Sequence, residues 1–108
     1  MFVLKEYETA LGRSPFADWF DELDATAALR VRRVLVRIES GNLGDVKSVG
    51  DGVFERRVDH GPGYRVYFGR DGRELIILLV GGTKRRQQRD IENAKWMWAD
   101  YKARKDKA

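Results

Sequence analysis

No cysteine occurs among the 108 residues. Disulfides and thiolate metal sites are therefore excluded. Histidine occurs once, at position 60, which leaves a histidine-based metal site without enough ligands. Long hydrophobic runs are also missing. The longest, Leu75 to Val80, has the length of a buried strand and is far too short to cross a membrane. The N-terminus lacks a basic segment followed by an apolar stretch, so no secretory signal is expected and a cytoplasmic location is the default. Internal repeats, low-complexity stretches and linkers are absent. So are the nucleotide-binding loop and the Ser/His/Asp signature. Hydrophobic residues make up 43% and charged residues 35%, a balance that fits a soluble globular protein. Residues 1–108 are expected to form one domain with a modest core.

The charge is unevenly placed. Residues 83–108 hold nine basic against four acidic side chains, whereas the first 82 hold 12 against 13. The excess positive charge thus sits in the last quarter of the chain. It serves either as a solubilising tail or as a surface for an anionic partner, and nucleic acid is the commonest such partner.

The chain is organised around the segment from Gly52 to Phe68. Val53 to Val58 and Tyr64 to Phe68 read as strands. His60-Gly61-Pro62-Gly63 between them is the strongest turn signal in the chain. Glu74 to Val80 follows Arg70-Asp71-Gly72-Arg73 and completes a three-stranded antiparallel meander. Alternation puts Arg65 and Tyr67 on one face and Tyr64, Val66 and Phe68 on the other.

Upstream, Phe2 to Glu8 suits a first strand. Ser14-Pro15 opens a helix with apolar Phe16, Trp19, Phe20 and Leu23. Asp24 caps a second helix running to about Glu39. Ala28, Val31, Leu35 and Ile38 form its buried stripe, with Arg30, Arg33 and Arg37 on the other side. Gly41 ends it as a left-handed cap. Val46 and Val49 mark a brief strand or bulge. Downstream, Gly81-Gly82 turns the chain from strand into helix. Thr83 is the expected N-cap of the last helix, with Ile91, Ala94, Trp98 and Tyr101 inward, Trp96 exposed, and Arg104 to Ala108 frayed. The order predicts an α+β fold: an antiparallel sheet with a helical hairpin on one face and a C-terminal helix crossing or flanking the other.

Chemistry-bearing residues gather on the meander and beside it. Lys47, Arg57, Arg65, Tyr67, Lys84, Arg85 and Arg89 offer cations and a phenol from neighbouring elements. Such a set can cleave RNA. Arginine forks hold phosphate oxygens and stabilise charge developing at phosphorus. A lysine crowded by other cations releases its proton more readily, and can then accept one from a 2′-hydroxyl. Tyrosine, lysine or histidine can protonate the leaving 5′-oxygen. RNA supplies its own nucleophile, so no metal or cofactor is required, and the product is a 2′,3′-cyclic phosphate. The bland alternative is a solvated strand surface on which Arg57 pairs with Glu55 or Asp59, and His60 is simply a turn residue.

Several segments together carry a family resemblance. They are Gly52-Val53-Phe54-Glu55-Arg56-Arg57, Gly61-Pro62-Gly63-Tyr64-Arg65-Val66-Tyr67-Phe68, Leu78-Leu79-Val80-Gly81-Gly82-Thr83-Lys84, and Gln87-Gln88-Arg89-Asp90-Ile91 leading to Ala94. With Phe16, Trp19 and Leu23, the chain resembles the addiction-module killer proteins, the phage-derived branch of the RelE/ParE toxin superfamily that includes HigB-like toxins. That resemblance implies a β-α-α-β-β-β-α fold and a functional cluster of Arg57, Arg65 and Lys84. It also implies a toxin of a type II toxin–antitoxin module that cleaves mRNA on the ribosome without metal. A small helix-turn-helix antitoxin would neutralise it in a hetero-oligomer, the toxin alone being a monomer. The roles that follow are Arg65 for transition-state stabilisation, Arg57 for phosphate binding, Lys84 or Lys47 as base, and Tyr67 or His60 as acid. A ParE-like inhibitor of DNA gyrase and an inactive binding homologue are the alternatives. The chain departs from the family at Arg56, where relatives carry an apolar residue facing the core.

Overall fold

The structure is a computed structural model that describes residues 1–107. Of the tail expected to fray, Ala108 lies outside the described residues. The elements are β1 (Val3–Glu6), α1 (Pro15–Asp21), α2 (Ala25–Glu39), β2 (Val46–Gly50), β3 (Val53–Val58), β4 (Tyr64–Asp71), β5 (Leu75–Thr83), a 3₁₀ turn (Lys84–Arg86) and α3 (Gln87–Lys107). The expected α+β order is borne out, and the brief stretch around Val46 is a full edge strand.

The five strands lie in the order β1-β5-β4-β3-β2. Strands β2 to β5 form an antiparallel meander. β1 departs from the expected antiparallel pattern and pairs parallel with β5. The reason is the connection. β1 and β2 occupy opposite edges, so α1 and α2 must carry the chain across the whole sheet between them, which frees β1 from hairpin geometry.

The helix ends follow the local chemistry. Ser14 Oγ accepts from the Ala17 amide at 3.0 Å and Asp24 Oδ1 from the Ala27 amide at 2.9 Å. Gly41 takes φ +102° directly after α2, the left-handed conformation that terminates a helix. The buried stripe of α2 is Ala27, Val31, Val34 and Ile38. It is rotated slightly from the expected one, with Ala28 and Leu35 half-buried at its border. Helical spacing admits both stripes, and the seat on the sheet chooses between them.

One core lies between the sheet and α1/α2, built from Phe16, Val31, Val34, Ile38, Val58, Val66, Phe68, Ile76 and Leu78. A second lies between the opposite face and α3, from Tyr7, Val53, Tyr67, Ile77, Leu79, Ala94 and Trp98. Trp96 is 66% exposed. The end of α3 stays helical through Lys107, against the expected fraying. Arg104 bonds Asp100 at 2.9 Å and the Glu8 carbonyl, and Tyr7 donates to Asp100 at 2.6 Å, so this end is tied to the start of the chain.

Gly81 and Gly82 correct another expectation, since both lie inside β5 instead of forming a turn. They are small because each face of the strand is pressed by a neighbour. A Cβ at Gly81 would fall 2.3 Å from the Trp19 ring, and one at Gly82 would fall 1.9 Å from Asp90 Oδ2. Thr83 precedes the 3₁₀ turn and makes no side-chain capping bond. Trp19 packs its ring on strand backbone, so a methyl at Gly81 forces it out of its seat. Urea unfolding of Gly81→Ala is expected to show a loss of about 1–3 kcal/mol; unchanged stability would contradict this packing.

Candidate functional site

Strand alternation and register build the site in two rows on the α3 face. Lys47 of β2 stands opposite Glu55 of β3, and Glu55 stands opposite Tyr67 of β4. In the next row on this face, Arg57 stands opposite Arg65, and Arg65 opposite Gly82. Side chains paired across strands on one face lie within contact distance. The 3₁₀ turn then brings Lys84 beside the rows and the start of α3 brings Gln87.

At the centre is the Glu55 carboxylate, fully buried. Its Oε2 accepts from the Tyr67 hydroxyl at 2.9 Å and from Gln87 Nε2 at 2.8 Å. Its Oε1 lies 3.7 Å from Lys47 Nζ and 3.6 Å from Arg65 Nε. Neither distance is a hydrogen bond, so Oε1 and Arg65 Nε face each other buried and unbonded. A carboxylate without water survives only with such partners. Arg65, 6% exposed, also donates through Nη1 to the Gly63 carbonyl at 2.9 Å. The Lys84 amide donates to the same carbonyl at 3.0 Å, which fixes the root of the lysine close to Arg65. Gly63 takes φ +77°, a conformation that favours glycine.

Lys47 and Arg65 are therefore brought against Glu55, with Arg57 in the neighbouring row and Lys84 rooted beside Gly63. Arg57 is exposed and pairs with Asp45 at 3.8 Å, not with Glu55 or Asp59. Arg85 and Arg89 are exposed at the start of the last helical segment. Tyr67 lies within the rows but buried, and His60 lies outside them. Tyr67 has no exposed surface and spends its proton on Glu55. Burial first, then the hydrogen bond to Glu55 and the charges of Glu55 and Asp90, push its ionisation far above the ordinary phenol range, with Arg65 opposing. It is placed to hold the carboxylate, not to hand a proton to a bound substrate. His60 stacks on Tyr64, with ring centroids 6.2 Å apart, and Tyr64 packs on the α1 side of the sheet. The histidine is thus turned away from Arg65.

Glu55 and Gln87 are the site residues that sequence reading passed over. The signal for Glu55 was present: it is the acid in an otherwise apolar and basic strand, and alternation puts it on one face with Arg57. Gln87 had no such signal, because only the length of the 3₁₀ turn decides which residue of α3 reaches the carboxylate. No group of three or more His, Asp or Glu side chains among the described residues is arranged to hold a metal ion.

Asp90 completes the electrostatics. Burial raises its carboxyl above the ordinary value, while the charges of Arg86 and Arg89 oppose the shift. A carboxyl raised by folding binds its proton more tightly in the native state. The ionised group therefore costs stability above its folded pKa, and that cost fades as pH falls through the window down to the unfolded value near 4. Asp90→Asn is expected to melt at a higher temperature than the parent at neutral pH, with the gap closing toward acid pH. A gap independent of pH would contradict this origin.

A family model described as phage-derived protein Gp49-like (DUF891) matches residues 18–99. That span runs from α1 into α3 and contains every residue of the two rows. A protein of Haemophilus influenzae, named only as uncharacterized, is 44% identical over 81 residues, covering 74% of this chain and 82% of the relative. The chain belongs to the phage-derived Gp49-like family.

Proposed function

We propose that the chain is the toxin of a type II toxin–antitoxin pair, of the HigB-like kind, and that it cuts mRNA at the face built on Glu55. The supporting observation is the buried carboxylate with Lys47 and Arg65 drawn against it, Arg57 in the neighbouring row and Lys84 at the rim. Membership of a phage-derived family fits an addiction module.

In this reading Arg57 and Arg65 hold the scissile phosphate and meet the charge that grows on its oxygens. The 2′-oxygen attacks phosphorus, the bond to the 5′-oxygen breaks, and a 2′,3′-cyclic phosphate remains. Lys84, which has no acidic partner within ion-pair distance among the described residues, takes the 2′ proton. Lys47, beside Glu55, returns a proton to the 5′-oxygen. Tyr67 and Gln87 keep Glu55 in place, and Glu55 orients Lys47 and Arg65. A helix-turn-helix antitoxin would cover exposed Trp96 and the basic side chains of α3. The ribosome is the setting in which the mRNA is presented.

Purified protein in EDTA, incubated with mRNA alone and on programmed ribosomes, tests this. Ends mapped as 2′,3′-cyclic phosphates are expected. Arg57 and Lys84 are exposed, so Arg57→Ala and Lys84→Ala should fold while cleaving more slowly, with Arg57→Ala down by about 10²–10³-fold. Full cleavage by both variants would overturn the assignment. No cleavage from protein that still arrests growth and causes double-strand breaks would return the gyrase reading.

A further inference from the structure

A second set of arginines lies on the opposite face of the sheet. Arg30, Arg33 and Arg37 recur three and four residues apart along α2, so they stand on one stripe of the helix. Arg56 joins them from β3. Its neighbours in alternation, Phe54 and Val58, pack into the α1/α2 core, while Glu55 and Arg57 point to the α3 side. Together with Val34, Val58 and Asp59, the four arginines line a groove of about 190 Å³.

Arg56 gives the groove its character. It is 9% exposed. One arm donates to the Arg57 carbonyl, yet Nε is buried without any hydrogen-bond partner. Room for the guanidinium comes from Gly44, where a Cβ would fall 2.6 Å from Nη2. Desolvation lowers its pKa below the ordinary arginine value. Asp45 opposes that shift and Arg37 adds to it. Among the described residues, none of the four arginines has an acidic oxygen within 4.0 Å. Four guanidiniums, one of them desolvated and short of an acceptor, outnumber the single carboxylate in the lining, Asp59, so an entering anion stabilises the group.

From this geometry we propose that the groove is a phosphate-binding site, separate from the Glu55 face. A phosphate group offers several charged oxygens to guanidinium forks, the pairing that arginine makes best. The arginine stripe extends roughly 10 Å along the helix at 1.5 Å per residue, longer than one phosphate, which favours successive phosphates of a nucleic-acid strand over a free ion. The site needs no cleavage at the other face, so a protein that never cuts RNA would still fill it.

The test follows the Arg56 Nε–H resonance by NMR. The probes are inorganic phosphate and a short single-stranded deoxyoligonucleotide, which lacks the 2′-hydroxyl and stays intact. Chloride at matched ionic strength is the control. The Arg56 resonance is expected to move saturably. Arg56→Met removes the buried guanidinium, and neither probe should then shift the backbone amide resonances of Arg33 and Arg37, which line the same groove. The triple variant Arg30→Gln, Arg33→Gln, Arg37→Gln changes only exposed positions and keeps the fold. It should flatten the salt dependence of oligonucleotide affinity by roughly 0.7 in log–log slope for each phosphate no longer neutralised, roughly 2 in all. Responses to both probes support the site with a strand as its source, and a response to phosphate alone supports it with free phosphate as the source. An unmoved Arg56 resonance with both probes would overturn it, as would a triple variant with parental affinity and slope and an undiminished phosphate response. Saturation by an acidic peptide that phosphate cannot displace would also overturn it.

Discussion

A carboxylate with no exposed surface sits on β3, one strand in from the edge of the sheet, and the α3 face is arranged to tolerate it. Glu55 draws on four residues from three separate elements: Lys47 of β2, Arg65 and Tyr67 of β4, and Gln87 of α3. Removing water from an ionised carboxyl costs several kcal/mol unless charge and hydrogen bonds replace it. That constraint ties one edge of the sheet to the start of the last helix. It also explains why Tyr67 is spent on the protein itself. Lys47, Arg57 and Lys84 stay exposed around this centre, next to the buried Arg65.

Strand alternation separates this face from the second charged surface. Arg56 and Arg57 are neighbours in the chain, yet one turns toward α2 and the other toward α3. Glycines make both packings possible. Gly81 and Gly82 let Trp19 and Asp90 press on opposite faces of one strand, Gly44 seats the Arg56 guanidinium, and Gly69 lies under the Trp98 ring. These positions work through close approach, so a side chain at any of them would meet a neighbour already in place.

Much of this was legible before the structure. The caps at Ser14, Asp24 and Gly41 are local chemistry, and they stand where their residue types put them. The meander and the shared face of Arg65 and Tyr67 follow from turn residues and period-two alternation. The parallel pairing of β1 was hidden, because a long connection leaves strand direction open while a hairpin does not. Burial within a face was hidden too. Alternation puts Tyr67 beside Arg65 but does not say that its hydroxyl will be buried and donate to Glu55. The place of His60 depends on which ring the turn leans on, and that is decided by Tyr64 and Trp19.

The central claim is that the charge of Glu55, and not its shape, organises the cations for phosphodiester cleavage. Glu55→Gln keeps the size and a hydrogen-bond acceptor while removing the charge that holds Lys47 and Arg65. The direct measurement is the rate at which this variant, shown to be folded by circular dichroism, cleaves mRNA on programmed ribosomes beside the parent. Cleavage lost from a folded protein is the result this account predicts. A folded Glu55→Gln that cleaves at the parental rate would contradict it.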